Sequence, residues 1–191
     1  YMLLISSSKF FSFAGERVAT MVISEQLFNR RYPDLLRYYK TDGFGYSIIY
    51  GALYALSAGV NHSAQYALAA MFKAVNDNKL NFVEGVKEYG ERAALMKKIF
   101  RDNGFNIVYD KDEDVPIADG FYFTFAYPGL SGSELLEKLL YYGISAIALT
   151  ITGSQREEGL RACVSQTGKE RFDVLAERLR CFHEDHKHLR G

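Results

Sequence analysis

The sequence SSSKFFSFAGER at residues 6–17 decides the fold of the first part of the chain. This hydroxyl-rich stretch lies between two apolar runs, MLLI at residues 2–5 and VATMVI at residues 18–23. Short apolar runs that include β-branched residues are typical of buried strands. We therefore predict two buried strands, joined by a polar loop that holds the functional residues.

The residue types in this loop suit a phosphorylated molecule. The hydroxyls of Ser6, Ser8 and Ser12 can donate hydrogen bonds, and Gly15 allows a close approach to the backbone. Arg17 offers a planar fork that can bind a phosphate through two parallel hydrogen bonds. The loop therefore predicts an anion site.

Lys9 is the candidate nucleophile of the loop. An ordinary lysine has a pKa of about 10.4 and is protonated at neutral pH. Lys9 therefore needs desolvation, or a nearby cation such as Arg17, in order to react as an amine. A neutral amine can form a Schiff base with an aldehyde.

The spacing S-x-S-K-x-x-S-x-x-G-x-R resembles the lysine segment of class I/II aminotransferases, which are pyridoxal-phosphate enzymes of fold type I. Its marked positions are filled by Ser6, Ser8, Lys9, Ser12, Gly15 and Arg17. The resemblance implies that Lys9 carries pyridoxal 5'-phosphate as a Schiff base, that Ser6 and Arg17 hold the phosphate, and that Ser8 belongs to the same cofactor site. The alternative is a serine-rich surface turn with an incidental lysine.

Length and composition indicate a globular protein and exclude some partners. The 191 residues include 48% apolar and 15% aromatic residues, enough for one domain or two small ones. Because 23 basic residues balance 23 acidic ones, nothing suggests electrostatic capture of nucleic acid or of an anionic membrane. No apolar run approaches the roughly 20 residues that span a bilayer. We expect a neutral small molecule or a protein as partner.

No metal site is predicted. Cys163 and Cys181 lack the spacing of metal ligands, and we expect reduced thiols and a cytoplasmic location. The acidic residues 110–114 lack the glycine and distal glutamate of a calcium loop, so we predict a solvated turn. The histidines at residues 183–188 are read as a solvated tail without function.

The resemblance also predicts the organisation of the chain. We expect an α/β protein that begins just before the cofactor lysine and so is the C-terminal portion of an aminotransferase. Residues 1–78 would be a remnant of the large cofactor-binding domain, with a strand, the lysine loop, a second strand and helices. Residues 79–191 would be a small α+β C-terminal domain that begins with a long crossing helix. In the family, the groups that contact the cofactor ring come from before the lysine.

Apolar periodicity and capping residues predict the remaining elements. Helices are expected at residues 25–39 with a break at Pro33, then at 46–58, 64–75 and 80–103. Ser131, with Glu134 three residues on, is expected to cap a helix that runs to Tyr142. The last helix is expected at residues 170–188, with its inward face formed by Phe172, Leu175, Leu179 and Phe182. Strands are expected at residues 105–109, 121–126, 145–150 and 160–165.

A second candidate cofactor contact lies at the start of the helix at residues 64–75. His62, Ser63 and Gln65 resemble the polar turn and helix glutamine by which, in the family, a neighbouring subunit approaches the cofactor phosphate. The alternative is an ordinary helix cap. Of the two interpretations, we favour the helix cap.

Arg161 is the candidate ligand of the substrate carboxylate. It heads the apolar strand LRACVS at residues 160–165, where a desolvated guanidinium is costly unless an anion meets it. The segment resembles the family's I-R-x-x-x-[SA] strand, whose arginine binds the α-carboxylate of the substrate through two hydrogen bonds. The alternative is a structural salt bridge. Phe13, Tyr122 and Tyr127 are conceivable pocket walls or core aromatics.

The function implied by the resemblance is transamination between an amino acid and a 2-oxo acid by a homodimer. A carbon–sulfur lyase or a condensing synthase of the same fold would share Lys9, Arg17 and Arg161, and stays an alternative. Another alternative is that this chain, without the segments that contact the cofactor ring, is a non-catalytic fragment.

Overall fold

The computed structural model describes residues 1–117 and 120–190 and confirms the predicted α/β class. The chain divides into two compact units, Tyr1–Phe82 and a second unit that begins at Val83. The division lies close to the predicted boundary after residue 78. The assignment of residues 1–78 and 79–191 to the domains of an aminotransferase stays a prediction.

The first unit contains the two predicted strands. Strand β1 is Met2–Ser6 and strand β2 is Ala19–Ile23, and they pair antiparallel with Ser6 opposite Ala19. The prediction that these strands are buried is wrong, since Leu4 is 72% exposed. Within the described residues, the two strands pair only with each other. Most apolar side chains of these strands are not covered by the helices of the unit.

The helices of the first unit are mostly short. In chain order they are α1 Ser7–Phe10, α2 Glu25–Phe28, α3 Leu36–Tyr39, α4 Phe44–Tyr46, α5 Ala55–Ser57 and α6 His62–Asn76. Two 3-10 turns, Ala14–Glu16 and Pro33–Leu35, and a π-helix, Ser47–Tyr54, join them.

Two helix predictions in this unit are confirmed in part. The helix expected at residues 25–39 is interrupted at Pro33 as predicted, because proline lacks an N–H and restricts the residue before it, but only α2, the 3-10 turn and α3 are helical. The helix expected at residues 46–58 forms, but its centre is the π-helix Ser47–Tyr54. Leu53 and Leu56, two apolar residues of this helix that are available for burial in its sequence, are 47% and 88% exposed.

Helix α6 confirms the predicted helix at residues 64–75. The Asn61 side chain caps it by accepting a hydrogen bond from the Ala64 backbone N–H at 3.3 Å. Ala64 and Leu68 then pack with Val18 in a small core. Phe11, Phe13 and Phe72 cover this core.

The loop between β1 and β2 is closed at its base by Ser7. This side chain is 1% exposed, and its hydroxyl donates a hydrogen bond to the carbonyl of buried Val18. The Ser7 carbonyl accepts from the backbone N–H groups of Phe11 and Phe13, each at 3.2 Å. The Ser7 hydroxyl therefore joins the two ends of the loop, in addition to the backbone hydrogen bonds between β1 and β2.

The second unit has a four-stranded antiparallel sheet with helices packed against it. Its helices are α7 Phe82–Asp102, which starts at the last residue of the first unit, α8 Gly132–Leu140 and α9 Phe172–His186. Its strands are β3 Asn106–Ile107, β4 Lys111–Asp112, β5 Val115–Pro116, β6 Tyr122–Ala126, β7 Ile147–Ala148 and β8 Leu160–Cys163. The sheet order is β3-β6-β8-β7, while β4 and β5 form a separate hairpin. Short 3-10 turns are found at Leu149–Thr152, Lys169–Arg171 and Lys187–Arg190.

The core of the second unit is aromatic. Phe100 of α7 lies 4.3 Å from Phe125 of β6 between ring centroids, and Phe105 lies 4.9 Å from Tyr127. Phe182 of α9 is fully buried against the same rings. The predicted long helix, the aromatic strand at residues 121–126 and the C-terminal helix are therefore confirmed as the parts that build this core.

The acidic residues 110–114 form more than the predicted turn. They enter the β4–β5 hairpin, in which Glu113 has a left-handed backbone with φ of 52°. Asp110 pairs with Arg101 at 2.7 Å and lies 3.8 Å from buried Lys97.

Across residues 1–117 and 120–190, no group of three or more histidine, cysteine, aspartate or glutamate side chains could hold a metal ion. In the same residues, no helix has the length and hydropathy to cross a membrane.

Helix α8 begins with the predicted capping box. The Ser131 side chain accepts from the Glu134 backbone N–H, and the Glu134 carboxylate accepts from the Ser131 N–H at 2.9 Å and from its hydroxyl at 2.7 Å. These bonds lower the pKa of Glu134 from its ordinary value of 4.5, with the backbone N–H as the larger cause. The carboxylate therefore stabilises the start of the helix.

Replacing Ser7 with alanine should lower the free energy of unfolding of the first unit by about 1–3 kcal/mol, because the Val18 carbonyl would stay buried without its donor. Amide hydrogen exchange in β1 and β2 measures this loss. Ser57→Ala is the control, since the Ser57 hydroxyl donates to the Leu53 carbonyl at 2.6 Å on an exposed surface where water can replace it. Equal losses in both variants would show that the Ser7 bond has no special role.

The capping box should make the second unit sensitive to acid. Because the folded-state pKa of Glu134 lies below 4.5, its stabilisation is complete above that value and is lost as the pH falls through the folded-state pKa. The stability difference between the natural protein and Glu134→Gln should therefore shrink between about pH 6 and about pH 3. Urea unfolding followed by amide protons of α8 measures it. Glu137→Gln, on the same helix, is the control, and a pH-independent difference for Glu134→Gln would contradict this account.

Candidate functional site

The lysine loop begins as a capped helical turn. Ser6, the last residue of β1, caps α1, because its hydroxyl oxygen accepts a hydrogen bond from the Ser8 backbone N–H at 3.3 Å. The hydroxyl hydrogen of Ser6 is not used by this bond and can still be donated to a ligand. Ser6, Ser8 and Lys9 therefore lie within one turn of the chain.

Lys9 lies in α1 with an exposed side chain. The two residues that follow it anchor the turn, since the rings of Phe10 and Phe11 lie 4.5 Å and 5.5 Å from the ring of Phe82. The lysine is thus carried by a turn whose aromatic side chains pack on the end of the first unit. Because the Lys9 side chain is exposed, burial within this chain does not desolvate its amine, and desolvation is one of the two routes to a neutral lysine.

Arg17 ends the loop in an uncommon backbone conformation. Its φ of 54° is left-handed, as is the φ of 55° at Ser12, and such non-glycine conformations persist where surrounding contacts hold them. The Arg17 Nη1 donates to the Ala14 carbonyl at 2.7 Å, which fixes the guanidinium beside the loop. Within the described residues Arg17 pairs with no carboxylate. Its other N–H groups are available to an anion.

Gly15 has no close neighbour. A Cβ built at this position would meet no described atom within 4 Å, and the φ of Gly15 is not positive. The room around it is consistent with the predicted approach of a ligand, but no contact of this chain requires glycine there.

An open groove lies beside Arg17 in the first unit. Its volume is about 630 Å³. Arg17 is the single charged residue among the described residues that line it, and the rest are mostly apolar: Leu4, Ala19, Thr20, Met21, Ile23, Phe28, Ile49, Leu53, Leu56, Ser57 and Val60. Lys9 does not line this groove. The structure therefore places Lys9 and Arg17 at opposite ends of one closed loop, and their roles stay predictions.

The second predicted phosphate contact is an ordinary helix start in this chain. Asn61 caps α6, and the Gln65 side-chain amide donates to the Val60 carbonyl at 2.9 Å. His62 and Gln65 line a shallow pocket of about 390 Å³. Ser63 is exposed. The role proposed for these residues at a neighbouring subunit stays a prediction.

Arg161 lies in the sheet of the second unit. On strand β8 it is opposite Thr124 of β6 and Ile147 of β7, and its side chain is half-buried. The guanidinium lies 4.4 Å from the centre of the Tyr122 ring, within the range of a cation–π interaction. Among the residues that the structure describes, Arg161 has no carboxylate partner, so the alternative of a structural salt bridge is not observed.

Two aromatic candidates for pocket walls are core residues instead. Tyr127 is 1% exposed in the core of the second unit, and its hydroxyl is hydrogen-bonded to Nδ1 of His183 at 2.9 Å. Phe13 packs on the small core around Val18. Tyr122 differs, because its ring faces Arg161. The sequence shows a tyrosine and an arginine on two predicted strands. Their contact can be predicted only when the register of these strands is known.

The prediction of a solvated tail is wrong for His183 and His186, whereas His188 is exposed. His183 contacts Tyr127, and His186 stacks on Phe182 with centroids 4.4 Å apart and donates from Nδ1 to the Phe182 carbonyl. Beside them, burial raises the pKa of Tyr142 to about 12, helped by a 2.6 Å hydrogen bond from its hydroxyl to Asp185. His183 and His186 therefore contribute to the packing of the second unit.

Known structures share this fold. The chain superposes on a protein of Methanococcus jannaschii, described as similar in its active site to kynurenine aminotransferases, with a TM-score of 0.67 and 18% identity over 95% of the chain. An aspartate aminotransferase of Thermotoga maritima gives 0.65 and 18% over 96%. An alpha-aminoadipate aminotransferase of Thermus thermophilus, complexed with N-(5'-phosphopyridoxyl)-L-leucine, gives 0.61 and 20% over 98%.

The chain spans about two fifths of these structures, covering 42%, 40% and 42% of their lengths respectively. A sequence search of curated proteins finds no significant match. The sequence model of the family "Aminotransferase class I and II" matches residues 1–179, which include the lysine loop and the Arg161 strand. The chain therefore belongs to the class I and II aminotransferase family.

Proposed function

We propose that the protein carrying this chain is a pyridoxal-phosphate-dependent aminotransferase that moves an amino group between an amino acid and a 2-oxo acid. The observation that carries the proposal is the family match over residues 1–179, within which the lysine loop fills every marked position of the family's motif. The Thermus thermophilus neighbour supports it, because that protein is complexed with a phosphopyridoxyl derivative of leucine.

The residues of the loop fit the two reactive ends of this cofactor. Arg17 has N–H donors that no described carboxylate occupies, and Ser6 keeps a hydroxyl hydrogen, so both can bind the phosphate. The exposed amine of Lys9 can hold the aldehyde carbon covalently. When bound, the cofactor supplies an electron-accepting ring that stabilises the negative charge left on the substrate Cα.

Lys9 would act twice in the reaction. Its amine first holds the cofactor and is displaced by the amine of the amino acid. The released Lys9 amine, when neutral, would take the proton from the substrate Cα and would give it up at the carbon to which the lysine had been joined, so that the amino group stays with the cofactor and the substrate leaves as a 2-oxo acid. This role requires that Lys9 lose its exposure when cofactor and substrate are bound, since a solvated ammonium cannot accept a proton.

Arg161 would fix the substrate by its carboxylate. Its guanidinium is free of described carboxylates and rests on the Tyr122 ring, which holds the plane of the fork. Two parallel N–H···O bonds to a carboxylate would fix the direction of the Cα–H bond, and such orientation is a large part of catalysis.

The same residues would serve a carbon–sulfur lyase or a condensing synthase of this fold. Recognition of a free carboxylate by Arg161 favours transamination, and formation of glutamate from 2-oxoglutarate distinguishes the reactions.

Residues 1–191 by themselves are expected to be non-catalytic. The chain spans about two fifths of its structural neighbours, covering 42% and 40% of two of them, and its Lys9 is exposed. A homodimer and a cytoplasmic location stay predictions.

Reduction with borohydride should trap pyridoxal phosphate on Lys9 of the protein that carries residues 1–191. Peptide mapping by mass spectrometry should find the added mass on the peptide with Lys9, and Lys9→Ala should remove it and lower kcat at least about 100-fold. Lys73→Ala is the control, because Lys73 is an exposed lysine of the same unit paired with Asp77. Label on another lysine with full activity of Lys9→Ala would overturn the proposal.

Arg161→Ala should lower kcat/KM about 100-fold for amino acids, mainly through KM, because two charge-assisted hydrogen bonds to the carboxylate are lost. The corresponding amino acid amides should be affected much less. Steady-state assays with 2-oxoglutarate measure both, and Arg156→Ala, which breaks an exposed pair with Glu158, is the control. Equal losses on acids and amides would remove Arg161 from this role.

A further inference from the structure

A second polar groove lies in the second unit, between the end of α8 and helix α9. Its volume is about 360 Å³. It is lined by Gly143, Ile144, Ser145, Thr167, Arg171, Val174, Leu175 and Arg178. None of the described residues that line it is acidic, so the groove is positively charged.

Two arginines of the groove lie at the start of α9 and two turns along it. Arg171 directly precedes the first residue of α9, and Arg178 follows it by seven residues, about two turns, with Val174 and Leu175 between them in the lining of the groove. Neither arginine forms an ion pair with any residue in the described part of the chain. Arg180, on another face of the helix, is instead paired with Glu177 at 2.7 Å. The two charges of the groove are thus left for a ligand.

The guanidinium of Arg178 is held in place by the loop after α8. Its Nη1 donates to the Gly143 carbonyl at 2.8 Å. Gly143 has a φ of 69°, and a Cβ at this residue would lie 2.7 Å from the same nitrogen. The left-handed turn therefore favours glycine, and a side chain at residue 143 would displace the Arg178 guanidinium from this position. The other N–H groups of Arg178 remain available to the groove.

The rest of the lining adds donors and an apolar floor. Ser145 and Thr167 contribute hydroxyls, which can donate to an anion. Val174 and Leu175 offer apolar surface between the two charges, and Val174 is 52% exposed. A monoanionic carboxylate would leave one guanidinium uncompensated, whereas a phosphate monoester carries close to two negative charges and three terminal oxygens.

We propose that this groove binds the phosphate group of a small phosphorylated molecule whose organic part rests on Val174 and Leu175. The residues concerned belong to the second unit alone and include none of those assigned to the aminotransferase reaction. The inference therefore stands whether or not the proposed reaction is correct.

Titration of the full chain, residues 1–191, with inorganic phosphate and with phenyl phosphate tests the proposal. Amide chemical shifts of Thr167 and Val174 report on this groove separately from any binding at Arg17. Both probes should saturate with a Kd of about 0.1–10 mM, and phenyl phosphate should bind more tightly because of the apolar floor. Acetate should bind more weakly than either.

The double variant Arg171→Gln, Arg178→Gln should weaken phosphate binding at least about tenfold, while Arg180→Gln should leave it unchanged. Amide shifts of the buried core verify that each variant is folded. Absence of saturation in the natural chain, an equal loss in Arg180→Gln, or tighter binding of acetate than of phosphate would each overturn the proposal.

Discussion

The hydrogen bond from the buried Ser7 hydroxyl to the Val18 carbonyl is the interaction on which the lysine loop depends. Next to it, Ser6 pairs with Ala19 in the strand ladder. A buried carbonyl without a donor is costly, so the two ends of the loop are strongly joined. Between these ends the chain must turn within a few residues. It does so with two left-handed backbone conformations, at Ser12 and Arg17.

This closure gives the loop its chemical arrangement. The first residues after β1 form the turn that carries Lys9, and the last residues before β2 carry Arg17. An amine and a guanidinium on one fixed loop are the minimum needed to hold a molecule with an aldehyde at one end and a phosphate at the other. Because the family model matches this loop, we propose pyridoxal phosphate as that molecule.

Arg17, Arg161 and Arg178, to which we assign ligands, have no carboxylate partner among the described residues. Most arginines of α7 and α9 are paired, as Arg92 is with Glu88 and Arg180 with Glu177. Arg161 rests on an aromatic ring instead, and Arg178 is fixed by a backbone carbonyl. A guanidinium that the fold orients, and that no carboxylate of the chain neutralises, can bind the anionic group of a ligand.

Local sequence signals predicted the elements that depend on local contacts. The capping box at Ser131, the aromatic strand β6 and the inward face of α9 were all predicted, because their patterns follow the period of their own element. The exposure of β1, the π-helix Ser47–Tyr54 and the packing of His183 against Tyr127 were not predicted. Each depends on which distant residues cover a segment, and a one-dimensional pattern does not contain that information.

The stacking of Arg161 on Tyr122 was missed for a related reason. Both residues were named from the sequence, but their contact follows from the register of β6 against β8. Likewise, the pairing of Gly143 with Arg178 joins residues on different elements. Candidate residues can therefore be found from motifs, while the contacts that orient them require the fold.

A crystal structure of the protein that carries residues 1–191, with pyridoxal phosphate bound, tests the central claim most directly. Our account predicts a covalent bond between Lys9 Nζ and the cofactor, with the Arg17 guanidinium about 2.7–2.9 Å from the phosphate oxygens. A cofactor joined to another lysine, or a phosphate that Arg17 does not contact, would contradict it.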